Sequence, residues 1–539
     1  MRSGSVLLLA AMLAACAANP KPAPAPAGTT ATTAAKPPAP GSGTIAGAPS
    51  PSPVHVAPRE QQPCRIPCTP LDHLARELDA AFAAPALRSA IWGVKVQSLD
   101  TGAVIYELNP DTLLVPASNT KIVTTAVAAE RLGWDFRFVT RLETDAPIAD
   151  GTLRGDLVVV GGGDPTMNDT FGGAGAAFDE WATALRAAGI SRIDGRIVGN
   201  DDAFEERPYG SGWEWDDFPY GYLSPVGALQ VDENVVEVSI APGTAPGNPA
   251  VVSMPLAGPG IGVVNRVITG APGSETDLDL SRLPGARDVE VSGTIAVGSK
   301  PATEIVAVDN PTLNFAARLR AALVERGIAV TGEAVDADEL EKGDTHHFLR
   351  NTSSRRVLAT RQSPPLRDIA VRLMKVSQNL YAETVLRALS LTPGPASVEA
   401  SQKIEQEVLA SWGIPEGQFA LADGSGLSRH NLFTASTVVR ILQVLARNPT
   451  HAEAFTATLP VAGKDGTIAG RLKATRGEGN VRAKTGTLGR VRALSGYLTT
   501  AAGERLVFSV IANHFLVPTR VVDAAVDQAL ERLVNFTGS

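Results

Sequence analysis

The chain has 539 residues, a formal net charge of −8, 44% hydrophobic and 19% charged residues, 51 glycines, 39 prolines and three cysteines. That length suggests roughly two to four domains, and the composition excludes collagen, a coiled coil and a disulfide-stapled miniprotein. The acidic balance argues against nucleic acid as a main partner, because phosphate binding needs a basic surface.

At the N-terminus, Met1-Arg2 precedes an apolar run from Val6 to Leu13 and then small residues. That is the layout of a secretory signal, and the run is too short to cross a membrane as a helix. Leu13-Ala14-Ala15-Cys16 resembles a bacterial lipobox. The resemblance implies a signal at 1–15, cleavage before Cys16 and a lipid on its sulfur and amine, and several acyl chains make a stable anchor. An ordinary signal cleaved near Ala15 or Ala18 would leave Cys16 incidental. Ala17 stands where an inner-membrane retention signal has Asp, so a periplasmic protein held at the outer membrane is expected. Eleven of the 39 prolines lie between Pro20 and Pro58, with Lys21 and Lys36 the charges among them. Residues 16–69 are therefore expected to be a disordered tether reaching on the order of 100 Å at about 3.1 Å per residue. Cys64 and Cys68 close it; a local disulfide is favoured in an oxidising compartment, and a metal site would need a second ligand pair nearby. No later segment is apolar for long enough to span a membrane.

The globular part opens with a periodic apolar stretch, Leu71 to Phe82, expected as a helix. Strands are expected at Ile91–Leu99 and Ala103–Leu108, joined by a turn at Asp100-Thr101-Gly102. Pro116-Ala117-Ser118-Asn119-Thr120-Lys121 then leads into an Ala-rich helix to about Leu132. Ser118 and Lys121, three apart, share one helix face and are within hydrogen-bonding reach. A serine hydroxyl needs a base to become a nucleophile, and a partly buried lysine held neutral can serve. Taken alone, the same pair is what a capping serine followed by a solvated lysine produces.

Two later motifs change that reading. Ser377-Gln378-Asn379 and Lys484-Thr485-Gly486 follow in order, and with Ser118-x-x-Lys121 they form the active-site set of the serine penicillin-recognising enzymes. In this reading Ser118 attacks an amide carbonyl with Lys121 as its base. Ser377 relays a proton to the leaving amine, and Asn379 holds Lys121 and a substrate amide. Lys484 and Thr485 take a substrate carboxylate, while Gly486 lets a substrate backbone approach an edge strand. The N–H groups of Ser118 and Thr487 form the oxyanion hole. Val481–Leu488, Ala493–Thr499 and Leu506–Ala512 read as a meander, closed by a helix from about Thr519 to Val534.

About 250 residues separate Lys121 from Ser377, more than a compact helical subdomain requires. The intervening part reads as mostly β, with strands at Phe136–Glu143, Leu153–Gly161, Arg192–Val198, Val231–Ile240, Val289–Val297 and Glu304–Val308. Helices at Ala177–Ala188 and Leu313–Arg326 interrupt it. The expected fold class is α/β (α+β) and multidomain. A serine β-lactamase/DD-peptidase-like transpeptidase domain, an antiparallel sheet flanked by helices, spans 70–140 and 346–539. Mostly-β domains are inserted at 141–345.

From about residue 70 to 537 the chain resembles the class C, type-4 low-molecular-mass penicillin-binding proteins, which are D-alanyl-D-alanine carboxypeptidases and endopeptidases. Further carriers of the resemblance are Gly161-Gly162-Gly163-Asp164-Pro165-Thr166, Gly212-Trp213-Glu214-Trp215-Asp216-Asp217, Val231-Asp232-Glu233-Asn234 and Asp423-Gly424-Ser425-Gly426-Leu427-Ser428-Arg429. The glycine run lacks a phosphate-loop lysine and dinucleotide spacing, and reads as a turn. The resemblance implies peptidoglycan peptides as substrates, β-lactams as covalent inhibitors and no cofactor. It also implies a pocket with an acid, an aromatic and an arginine at Asp217, Tyr222 and Arg429, suited to the zwitterionic end of diaminopimelate. Without it, Asp217 and Arg429 are as well read as surface charges. A β-lactamase needs a water-activating base that the sequence does not place. A non-catalytic peptidoglycan-binding lipoprotein has no use for the proton-transfer set. The seven histidines form no His-Glu-x-x-His pattern, so no metal is expected.

Overall fold

A computed structural model describes residues 69–254, 261–344, 355–391 and 395–538. The expected signal, tether, Cys16, Cys64 and Cys68 lie outside the described residues.

A five-stranded antiparallel sheet organises the part that carries the three motifs. Its order is Val104–Leu108, Ile91–Ser98, Arg505–Asn513, Val491–Thr499, Arg482–Leu488, so the Lys484 strand is an edge. The central strand Arg505–Asn513 is apolar on both faces because both are covered. Leu506, Phe508, Val510 and Ala512 point one way, into a core shared with helices Pro70–Phe82 and Thr519–Asn535. Val507 points the other way, into a core shared with helices Thr120–Leu132, Leu366–Lys375, Asn379–Ala388 and Ala435–Arg447. The first helix is started by Thr69 and Asp72, each bonding the other's backbone N–H. It buries Leu74, Leu78, Ala81 and Phe82, one stripe at helical spacing.

The insertion holds two further cores. One lies between helices Gly173–Ala187 and Pro311–Glu325 and a five-stranded sheet ordered Ala334–Asp336, Ile197–Asn200, Leu157–Val160, Val139–Thr144, Arg356–Gln362. Val139–Thr144 pairs antiparallel with Arg356–Gln362, so the chain leaves and re-enters the part that carries the three motifs side by side. The other core is a small β-sandwich of two three-stranded sheets packed through Val238, Ile240, Val267, Val291 and Ile295.

Several elements differ from expectation for local reasons. The runs expected at Leu153–Gly161 and Arg192–Val198 each break into two strands of different sheets. The breaks fall at Gly155 and Gly195, where a Cβ on Gly195 would lie 2.1 Å from the Gly155 carbonyl oxygen. The strand expected from Val231 begins at Val235, because Asp232, Glu233 and Asn234 turn with φ of 49, 58 and 57°. Strands Val251–Ser253, Val263–Gly270 and Asp277–Ser281, and helices Leu366–Lys375, Asn379–Ala388, Val398–Ser411 and Ala435–Arg447, are additional to those expected. In the glycine run, Cβ atoms on Gly161 and Gly162 would meet the Ala228 and Val139 carbonyl oxygens at 2.3 Å each. Backbone crossing, beyond a mere turn, thus requires glycine there.

Candidate active site

Ser118 lies on a 3-10 turn, Ala117–Asn119, that runs straight into the buried helix Thr120–Leu132. Asn119 N–H donates to the Pro116 carbonyl at 3.2 Å and Thr120 Oγ1 to the Ala117 carbonyl at 3.0 Å. Ala117 has φ of 47°, a left-handed conformation that a non-glycine residue holds only when its surroundings impose it. Two glycines leave room for the turn here. A Cβ on Gly426 would sit 2.0 Å from the Ala117 carbonyl oxygen, and one on Gly486 would sit 2.4 Å from that of Pro116. The close approach at Gly486 is therefore to the Ser118 turn itself, a role additional to the substrate access expected for it.

Lys121 is fully buried. Its Nζ lies 2.9 Å from Ser118 Oγ, 2.6 Å from Asn379 Oδ1 and 2.6 Å from the Ser425 carbonyl oxygen. Asn379 Nδ2 donates to the Tyr222 carbonyl at 2.7 Å, which fixes the amide with its oxygen towards Lys121. Three motifs far apart in sequence thus converge on one ammonium or amine.

Lys484 is likewise fully buried, and its Nζ donates to Ser377 Oγ and to the Thr485 carbonyl, both at 2.8 Å. Burial, and then the nearby Lys121 charge, push the Lys484 ammonium well below the usual lysine range. Ser377 has φ of 64°. Gln378, between the two motif residues, caps the next helix through Leu380 N–H and donates to Glu233 Oε2 at 2.5 Å. Glu233 also accepts from Arg372, so a residue of the insertion holds the Ser377 turn in place. Thr485 Oγ1 donates to Thr467 Oγ1 at 2.8 Å, and the Thr487 hydroxyl accepts from Arg492.

The three pocket candidates are only partly assembled. Tyr222 OH donates to Asp217 Oδ1 at 2.5 Å, and burial pushes the Asp217 carboxyl up against the lowering effect of that bond. Arg429 pairs instead with Glu214 Oε1 at 2.7 Å and donates to the Gly489 carbonyl at 3.1 Å. It bridges the insertion to the loop after the Lys484 strand. Asp423 binds the Gly426 and Ser428 N–H groups and the Trp213 indole at 2.6–2.8 Å. Trp213 and Asp423 belong to two of the sequence signatures noted above, and this bond joins them.

Sequence reasoning missed Glu214, Thr467 and Glu383. Glu214 lay inside the quoted Gly212–Asp217 signature, and Glu383 lay one helical turn beyond Asn379 on the same face. Among the described residues, carboxylates close enough to share a metal are Asp201, Asp336 and Asp338, and Asp202, Glu206 and Asp338. None of them belongs to the Ser118 centre.

Comparison with known proteins places this geometry. The D-Ala-D-Ala carboxypeptidase 3 (S13) family model matches residues 74–533. A D-alanyl-D-alanine carboxypeptidase of Actinomadura sp. is 34% identical over 485 residues, covering 87% of this chain and 86% of that one. The crystal structure of penicillin binding protein 4 from Haemophilus influenzae is 28% identical, with a TM-score of 0.74 over 87% of this chain and 99% of that one. A second structure of the Haemophilus influenzae protein, complexed with a β-lactam, has a TM-score of 0.68 at 28% identity, covering 86% of this chain and 97% of that one.

Proposed function

The chain belongs to the D-Ala-D-Ala carboxypeptidase 3 (S13) family and is a D-Ala-D-Ala carboxypeptidase, and on that premise we propose that Ser118 is the acylated nucleophile and Lys121 its base. One observation carries this assignment: the arrangement around Lys121 Nζ. A neutral lysine amine has two N–H groups and one lone pair. Asn379 Oδ1 and the Ser425 carbonyl oxygen are both acceptors, and they take the two N–H groups. The lone pair is left facing Ser118 Oγ at 2.9 Å, where it receives the hydroxyl proton as Oγ attacks the carbonyl between two D-Ala residues.

The remaining steps use the other motif residues. The oxyanion is met by the Ser118 and Thr487 N–H groups. The departing D-Ala amine takes a proton from Ser377 Oγ. The proton that Lys121 took from Ser118 passes back to Ser377, beside which Lys484 Nζ lies at 2.8 Å, so that Lys121 is a neutral base again for the attacking water. The terminal carboxylate of the substrate binds at Lys484 and Thr485, where its negative charge favours the ammonium form that burial disfavours. Water then hydrolyses the Ser118 ester and frees the enzyme. No cofactor enters any step.

The finer reading extends the same site. Peptidoglycan stem peptides, and cross-links through an endopeptidase reaction, are the substrates, and β-lactams acylate Ser118. Asp217, Tyr222 and Arg429 receive the ammonium and carboxylate of a free diaminopimelate end, supported by the Tyr222–Asp217 bond and the exposed, re-pairable Arg429–Glu214 contact. Residues 70–140 and 346–539 form the peptidase domain around inserted domains at 141–345. The 1–15 signal directs export and is removed, and the Cys16 lipid and 16–69 tether hold the enzyme in the periplasm at the outer membrane. No helix among the described residues is long and apolar enough to cross a membrane.

Release of D-Ala from a diacyl-D-Ala-D-Ala peptide tests the assignment. The wild type releases it, and Ser118→Ala, with an unchanged circular dichroism spectrum, does not. Release by that variant would overturn it.

A further inference from the structure

One of the two acceptors that aim Lys121 is a main-chain carbonyl, and a main-chain carbonyl is only as well placed as the loop that carries it. The loop Asp423–Gly426 is held from both sides. Towards the nucleophile helix, the Gly424 carbonyl accepts from Thr124 Oγ1 at 2.8 Å and the Ser425 carbonyl accepts from Lys121 Nζ at 2.6 Å. Away from it, the Gly424 and Ser425 N–H groups donate to a single oxygen, Glu383 Oε1, at 3.0 and 2.8 Å. Glu383 is fully buried, and its other oxygen faces the Arg387 guanidinium at 3.4 Å.

Glu383 lies one turn after Asn379 in the helix Asn379–Ala388, so both residues share a face. That helix supplies one lysine acceptor directly, as Asn379 Oδ1, and governs the other through Glu383. We infer that Glu383 is a positioning residue, which sets the direction of the Lys121 lone pair by clamping the Ser425 carbonyl. This deepens, and rests on, the reading of Lys121 as the base. A carboxylate suits the task better than an amide. One oxygen must accept two N–H bonds while the other accepts from Arg387, and a glutamine would turn an NH2 donor towards one of these donors.

The test is Glu383→Gln in the full-length enzyme. D-Ala release is measured from the diacyl-D-Ala-D-Ala peptide, and the rates are normalised to the fraction that benzylpenicillin labels at saturation. A misdirected base should lower kcat by about 10²-fold, the effect of roughly 1 Å of misplacement, and leave KM within about threefold. A structural role alone would lower the labelled fraction and leave normalised kcat unchanged. Wild-type normalised kcat in folded Glu383→Gln overturns the inference. If that variant does not fold, Glu383→Asp keeps a carboxyl group, shortens the reach and is read the same way. Failure of both to fold makes Glu383 a folding determinant and also overturns it. Wild-type labelling at Ser118 tests the underlying reading separately.

Discussion

Tyr222 meets Asn379 through its main chain and Asp217 through its side chain: the carbonyl accepts from Asn379 Nδ2 at 2.7 Å and the phenol donates to Asp217 Oδ1 at 2.5 Å. One residue thus joins the proposed catalytic centre to the proposed pocket, and a substitution separates the two contacts. Tyr222→Phe keeps the carbonyl and loses the Asp217 bond. Benzylpenicillin acylation should stay within about twofold, whereas kcat/KM for peptides ending in free diaminopimelate should fall roughly tenfold or more. That loss corresponds to the 1.5–3 kcal/mol or so of a hydrogen bond to a charged group. Arg429→Ala should show the same split in steady-state kinetics. Equal losses on penicillin and peptide would remove both residues from the pocket.

Lys121→Arg puts in place of the amine a guanidinium that cannot give up its proton near neutral pH and so has no lone pair to offer. Acylation by benzylpenicillin, followed by stopped-flow, should drop by about 10²-fold or more. Near-wild-type acylation would mean that another group activates Ser118.

Gly486→Ala places a Cβ 2.4 Å from the Pro116 carbonyl oxygen, a contact that only movement of the Ser118 turn or of the edge strand relieves. We expect about 1–3 kcal/mol of destabilisation by urea unfolding and slower acylation. Unchanged acylation would show that the turn tolerates a shift from its observed place.

Glu405, on the helix Val398–Ser411, is fully buried and neither carboxyl oxygen has a hydrogen-bond partner. Burial, with Glu383 and Asp423 adding repulsion, pushes its carboxyl well above the usual range. The folded state therefore keeps a proton that the unfolded chain has lost. The stability tied to that proton is complete below the unfolded value and declines as pH rises through the folded one. Glu405→Met removes both the proton linkage and the unpaired group, so it should raise Tm, and by more at pH 8 than at pH 5. A Tm gain that is equal at the two pH values, or larger at pH 5, would contradict the assignment.

What the sequence made legible follows from what its motifs encode. Ser118 and Lys121 are neighbours by helical spacing, and the order of Ser377, Asn379 and Lys484 behind them pointed to the family, so the side chains that the structure brings together could be named in advance. The Ser425 carbonyl was not, because every residue has a carbonyl and only the fold decides which one faces Lys121. Arg429 was expected to form one end of the pocket opposite Asp217; in the structure it pairs with Glu214, an acid that spacing does not single out from Asp217. In the insertion, Val263–Gly270 alternates only weakly because much of it is exposed, which hides the period-two signal of a strand.

The central claim, that Ser118 carries the acyl group, is tested most directly by intact-mass measurement after incubation with benzylpenicillin. The wild type should gain the mass of one benzylpenicillin, mapped to the peptide containing Ser118, and Ser118→Ala should gain none. An adduct that persists on Ser118→Ala would contradict the account.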